Sequence, residues 1–192
     1  GAYYAVANGN SASSKGIETE FNWALSDAIT MFGGYTYVDA SLSNDLYLHD
    51  ASDLTSGKSE LRATNGAQLP GTPKNTINIG AKHEQILDSG LLLITRVDGY
   101  YQSDVENSIL NIDPDWATTL DGFDLWFMST TLVADHWTAS LVAKNLFNER
   151  GTVATYKEEY MTSDVVNGFY GTGQKDFITA PRTITLKASY RF

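Results

Sequence analysis

Few residues of this 192-residue chain have the types and spacing that do chemistry. Glu18 and Glu20 stand two apart, so an extended strand puts both on one face, and paired carboxylates are the minimum for acid–base work of the glycosidase kind. A polar strand face places carboxylates the same way, and that reading is preferred. His49, His83 and His136 lack a second ligand at metal spacing, and the absence of cysteine removes disulfides, thiolate metal sites and thiol nucleophiles. Asp113-Pro-Asp115 offers two carboxylates but not the rest of a calcium loop, and reads as a turn. Gly168-Phe-Tyr-Gly171-Thr-Gly173 lacks the sixth-position glycine and the strand–helix setting of a dinucleotide site, and no P-loop, HExxH or GxSxG motif occurs. What remains is binding chemistry. Tyr47, His49, Trp116, Tyr156, Tyr160 and Tyr170 lie in polar stretches, where rigid apolar faces with a polar tip can leave water for a ligand at little entropic cost. These six are the ligand-binding candidates. No catalytic residue, metal ligand or cofactor is expected, and the chain is not expected to be an enzyme.

The elements that must position these residues are strands. The chain holds 16 Gly, 11 Tyr, 8 Phe and 4 Trp against only 4 Pro, a balance that favours strands and turns. A net charge of −10 argues against nucleic acid as a partner, because phosphate binding needs clustered Lys and Arg. No apolar run is long enough for a membrane helix, yet a membrane-spanning strand needs only ~9–11 residues of alternating polarity.

That alternation is clearest at the end of the chain. Ile184, Leu186, Ala188, Tyr190 and Phe192 interleave with Thr183, Thr185, Lys187, Ser189 and Arg191, which puts one face in an apolar medium and the other in a polar one. Upstream, Ile17, Thr19, Phe21, Trp23 and Leu25 oppose Glu18, Glu20 and Asn22, and a reversal at Ser26-Asp27 leads to Ile29, Met31, Gly33, Tyr35 and Tyr37. Ile77, Ile79 and Ala81, then Leu91, Leu93, Thr95, Val97, Gly99 and Tyr101, form a second pair around Leu87-Asp88-Ser89-Gly90. The run from Phe123 to Val133 and its partner Trp137, Ala139, Leu141 and Ala143 turn at Asp135-His136. Seven strands result, and their connections alternate between a few residues and roughly fifteen to thirty. Short turns at one end and long loops at the other are the habit of transmembrane barrels, with the long loops outside the cell.

Trp23, Trp137, Tyr190 and Phe192 fall beside the short turns, and Tyr35, Tyr37, Tyr101 and Phe123 near the long loops, as two aromatic girdles would. Glu18, Glu20, Asn22, Lys74, Asn78, Lys82, Arg96, Asp98, Gln102, Lys144, Lys187 and Arg191 are expected to line a polar interior. The long connections, residues 42–71, 106–121 and 149–180, carry −8 of the −10 charge.

The final strand from Ala180-Pro-Arg182 to Tyr190-Arg-Phe192 resembles the end of TonB-dependent outer-membrane receptors. Asn145-Leu-Phe-Asn148, Lys15-Gly-Ile-Glu-Thr-Glu20 and Leu69-Pro-Gly-Thr-Pro73 are similar to recurring strand segments of that family, in the usual order. The resemblance implies an all-β, antiparallel transmembrane β-barrel segment of about seven strands within a barrel of ~22. Residues 1–192 would then be the C-terminal portion of a receptor barrel, with the plug domain, the TonB box and the earlier strands outside this sequence. It further implies uptake of a scarce nutrient (iron–siderophore, cobalamin or saccharide) across the bacterial outer membrane. The implied partners are the rest of the receptor, the TonB complex, outer-membrane lipid and the barrel-assembly machinery, which would read Tyr190 and Phe192 as its signal. Two other readings stay open: a self-contained barrel with residues 3–7 as an eighth strand turning at Asn8-Gly9, and a soluble carbohydrate-binding sandwich using Trp116 and Tyr170.

Overall fold

The computed structural model describes residues 11–49, 59–112, 117–157 and 174–192. Among the described residues thirteen strands are formed: β1 (Ala12–Ala24), β2 (Ile29–Leu42), β3 (Leu46–His49), β4 (Ser59–Ala63), β5 (Asn75–Ile86), β6 (Leu92–Gln102), β7 (Val105–Glu106), β8 (Thr119–Leu120), β9 (Phe123–Val133), β10 (Trp137–Lys144), β11 (Thr152–Lys157), β12 (Gln174–Ile178) and β13 (Thr183–Tyr190). Seven of them make one antiparallel sheet in the order β1-β2-β5-β6-β9-β10-β13. These are the seven expected from alternation, and each pairs with the next in the chain.

Register decides what each face carries, because residues directly opposite one another on antiparallel strands point the same way. One row runs Trp23, Met31, Ala81, Val97, Met128, Ala143 and Ile184. A neighbouring row runs Phe21, Gly33, Ile79, Gly99 and Trp126. The face is therefore apolar across all seven strands, and it stays open to its surroundings: Ile17, Ile184 and Leu186 are 66, 68 and 76% exposed. A soluble sheet buries such a face against a second layer. Here no second layer covers it among the described residues, and no described helix is long and apolar enough to cross a membrane.

The opposite face is mixed. Glu18, Thr36, Thr76 and Gln102 form one row, and Asn22, Phe32, Gly80, Asp98 and Phe127 another. Its charges pair along single strands: the Arg96 guanidinium meets the Asp98 carboxylate at 2.6–3.0 Å and lies 4.6 Å above the Phe32 ring, and Lys82 Nζ is 3.1 Å from Glu84. This is the expected polar wall.

Phe123 corrects one expectation. It was assigned to the loop-side girdle, but it stands opposite Gln102 on the inner face, 8% exposed. Apolar residues of both parities open β9, so only pairing with β6 decides which face each takes. The outer position goes to Trp126, whose indole N–H donates to Asp124 at 2.7 Å. Tyr35, Tyr37 and Tyr101 do lie on the outer face toward the loops, with the Tyr35 hydroxyl donating to Asn75 at 2.8 Å. At the other end Trp137 pairs with Tyr190, and the Tyr190 and Phe192 rings meet edge-on at 5.1 Å.

Three outer or inner positions share one device. Phe21 lies over Gly33, Phe32 over Gly80 and Trp126 over Gly99, each aromatic directly across from its glycine. A Cβ on Gly33 or Gly99 would come within 2.8 or 2.9 Å of the ring, so the missing side chain is what lets the aromatic lie flat on the neighbouring strand.

The short turns are as expected. Ser26 Oγ accepts from the N–H groups of Ala28 and Ile29, Gly90 takes φ +80° where a side chain would be strained, and the Ala134 N–H closes on the Trp137 carbonyl at 2.9 Å. Residues 3–7, the suggested eighth strand, lie outside the described residues.

Candidate functional site

All three long connections leave the same end of the sheet, so the site is built from them. None is a featureless loop: β3 pairs with β4, β7 with β8 and β11 with β12.

The first connection holds a small core of its own, in which Leu42, Leu46, Ala63 and Ala67 pack with Leu48, Leu69 and Ile109. Its return to the sheet is Leu69-Pro-Gly-Thr-Pro73, expected as a strand segment. It is a turn leading into β5, since Pro70 and Pro73 have no N–H for a ladder and Gly71 takes φ +68°.

Asn145-Leu-Phe-Asn148 is likewise a turn and not a strand, with both asparagines at positive φ (51° and 58°). The buried Asn145 amide donates to the carbonyls of Glu149 and Ala180 at 2.9 and 2.7 Å, and its Oδ1 accepts from the Glu149 N–H at 2.8 Å. Asn148 Oδ1 accepts from the Arg182 N–H at 3.0 Å. One tetrapeptide thus binds the departure of the last connection to its return. Lys15-Gly-Ile-Glu-Thr-Glu20, the third such segment, does lie in β1.

The middle connection lies between the other two. The Asn107 carboxamide pairs with the backbone of Thr155 in β11, accepting from its N–H at 3.0 Å and donating to its carbonyl at 2.7 Å. Asn111 does the same kind of service for the first connection, accepting from the Thr64 N–H at 3.2 Å and donating to Thr64 Oγ1 at 3.1 Å. The Gly71 N–H adds a bond to the Glu106 carbonyl at 2.9 Å.

Where the middle and last connections meet there is a cavity of about 420 Å³, lined by Thr118, Asp121, Phe123, Glu149, Arg150 and Asp176 among others. Gly151 forms part of its floor, so tightly against the Phe123 ring that a Cβ would collide with it. The lining is polar with more acid than base, a setting for hydroxyl, amide or cationic groups rather than for a bare anion.

Of the six candidate residues, Tyr47 stands on β3 and Tyr156 on β11, 54 and 42% exposed. They occupy separate hairpins, and the middle connection contacts both through the asparagine bonds above. His49 ends β3. Trp116, Tyr160 and Tyr170 lie outside the described residues. The other histidines are apart from the loops: His83 is on β5 opposite Ile29, and His136 is in a short turn, 6.4 Å from the Tyr190 ring. Glu18 and Glu20 lie on the inner wall opposite Thr36 and Gly34. Sequence reasoning missed Asn107, Asn111 and Asn145 as the residues that hold the site. The one legible signal was the Asn-x-x-Asn spacing, since asparagine tolerates positive φ and mimics backbone with its amide.

Residues 1–146 match the family model described as TonB dependent receptor-like, beta-barrel. Comparison with curated protein sequences gives no match. Among solved structures, the chain is similar to the siderophore receptor PiuA from Acinetobacter baumannii, with 17% identity and a TM-score of 0.66 over 92% of this chain and 21% of that one. It is also similar to the ferric yersiniabactin uptake receptor FyuA from Yersinia pestis, with 16% identity and a TM-score of 0.68 over 94% of this chain and 24% of that one. The ferric-catecholate import receptor Fiu from K12 E. coli gives 19%, 0.59, 94% and 21% in the same terms. At such identities the likeness is one of fold, and the chain spans between a fifth and a quarter of the length of these receptors.

Proposed function

Because the chain belongs to the TonB-dependent receptor β-barrel family, we propose that residues 1–192 are the C-terminal portion of the barrel of an outer-membrane uptake receptor. Family and fold are those of transport receptors rather than enzymes. In this reading a plug domain and the earlier strands come from the rest of a longer polypeptide, and the TonB complex engages that part. The observation that carries the reading is the apolar face seven strands wide, with aromatic residues toward both edges and every long connection at one end. Extraction from cells only with detergent, and heat-modifiable migration on a gel, are the expected results; release into detergent-free buffer would contradict the proposal.

The cargo is proposed to be a scarce nutrient carried as a bulky complex, with iron–siderophore first because the solved neighbours include a siderophore receptor and a ferric-catecholate import receptor. Charge supports a neutral, cationic or metal-masked ligand: the long connections hold most of the chain's −10, which repels a free anion over a Debye length of ~8 Å. Recognition is assigned to Tyr47, His49, Trp116, Tyr156, Tyr160 and Tyr170. Calorimetry on the complete receptor should show Tyr47→Ala and Tyr156→Ala each losing about fivefold or more in affinity, as a truncated aromatic contact worth ~1 kcal/mol would, with Thr185→Ala on the inner wall unchanged. Parent-like binding by both loop variants would remove the assignment.

The terminus supports a further part of the proposal. Tyr190 and Phe192 are exposed on the outer face at the turn end and meet edge-on, as a signal read by the barrel-assembly machinery would need. Deleting Phe192 is expected to lower assembled protein in cells and to leave refolding in detergent nearly intact. Equal loss in both assays would mean that the ring only anchors the strand in the membrane.

A further inference from the structure

We infer that Asn107 and Asn111 are positioning residues that splice the first and last connections onto the middle one, so that all three answer a ligand as a single body. The side chain of Asn107 uses both halves of its amide on both backbone groups of Thr155. That is what a neighbouring strand would do, and Thr155 is buried at 7% exposure, so no water replaces the partner if it is lost. Four residues on, Asn111 grips Thr64 just after β4. Between the two, Ile109 packs against the core of the first connection. Three successive odd positions of one short segment thus hold β11–β12 on one side and β3–β4 on the other.

The consequence is energetic. Each amide pair forms only when both of its connections are ordered, so ordering one hairpin lowers the entropy cost of ordering the next. A ligand touching Tyr47 would then favour the conformation in which Tyr156 is already placed, and the converse follows by reciprocity. In its bearing on capture this rests on the loop-recognition reading above; the coupling itself needs no ligand.

Hydrogen exchange of the complete receptor in detergent, without ligand, measures it. In Asn107→Ala the amides of residues 152–157 should exchange about tenfold faster, the effect of losing one well-made hydrogen-bond pair, and residues 59–64 should also exchange faster, by a smaller factor, because the connection they belong to loses an ordered neighbour. Asn111→Ala should do the reverse. Asn107→Asp keeps shape and acceptor but loses the donor to the Thr155 carbonyl, and should shift exchange in the same direction as alanine. The barrel strands β5 and β6 report folding in every variant and should not change. Unaltered exchange at 152–157 in both Asn107 variants, acceleration there with residues 59–64 left at their parent rate, or acceleration spread equally through β5 and β6, overturns the coupling. If exchange shifts as stated while Tyr47→Ala and Tyr156→Ala bind normally, the coupling stands and the recognition reading falls.

Discussion

Arginine at Leu186 is expected to cost the folded barrel ~2–4 kcal/mol, whereas Thr185→Arg, one residue away, should cost far less. Leu186 stands opposite Leu141, which stands opposite Thr130, in the middle of the apolar face. A guanidinium there must either shed water into hydrocarbon or bend toward the headgroups. Thr185 pairs with Val142, which pairs with Ser129, and its side chain points to the inner wall where Lys187 already sits. Denaturant titration of the receptor refolded into lipid vesicles gives both numbers. Equal destabilisation by the two substitutions would mean that the outer and inner faces have been exchanged or that neither meets lipid.

Asn145→Ala should destabilise by roughly 2 kcal/mol, because it removes the partner of the Glu149 N–H and of the Ala180 carbonyl, each hydrogen bond worth ~0.5–1.5 kcal/mol net, while the Glu149 carbonyl keeps its bond from Thr179 Oγ1 at 2.8 Å. Alanine at φ 51° adds strain that asparagine tolerates. Asn145→Asp retains only the acceptor and should fall between parent and alanine. Denaturant titration measures the loss, and limited proteolysis should cut residues 149–182 earlier in the alanine variant. A change within about 0.5 kcal/mol of parent, the ordinary range of a surface substitution, would show that the turn is held by other contacts.

The barrel strands were legible because a sheet between lipid and water forces polarity to alternate every second residue, as Ile184 to Phe192 does without a break and Ile17 to Trp23 does with only Thr19 out of type. Legibility failed where that medium no longer acts. Ser59–Ala63 is short and charged, and it becomes a strand only because Leu46–His49 lies beside it. Asn107 is an unremarkable loop residue until Thr155, 48 positions later, is brought against it. Phe123 and Phe127 could not be placed from Phe123-Asp-Leu-Trp-Phe alone, since apolar residues of both parities fit either face until β6 fixes the register. Segments 69–73 and 145–148, which resemble strand segments of the family, are shaped into turns by their prolines and asparagines, a role that resemblance by order and spacing does not reveal.

The glycine–aromatic pairs select the register of the sheet as well as its shape. A strand docking two places out of register keeps its faces correct, so polarity alone does not reject it. The rings do: Phe21 would then meet Met31 or Tyr35, Phe32 would meet Asn78 or Lys82, and Trp126 would meet Val97 or Tyr101, side chains where a bare backbone is needed. Three of the six seams carry such a key, β1 to β2, β2 to β5 and β6 to β9. A sheet slipped by two residues at any of these three seams loses the packing of ring on glycine, so at these seams the pairs favour the native register over its in-phase neighbours.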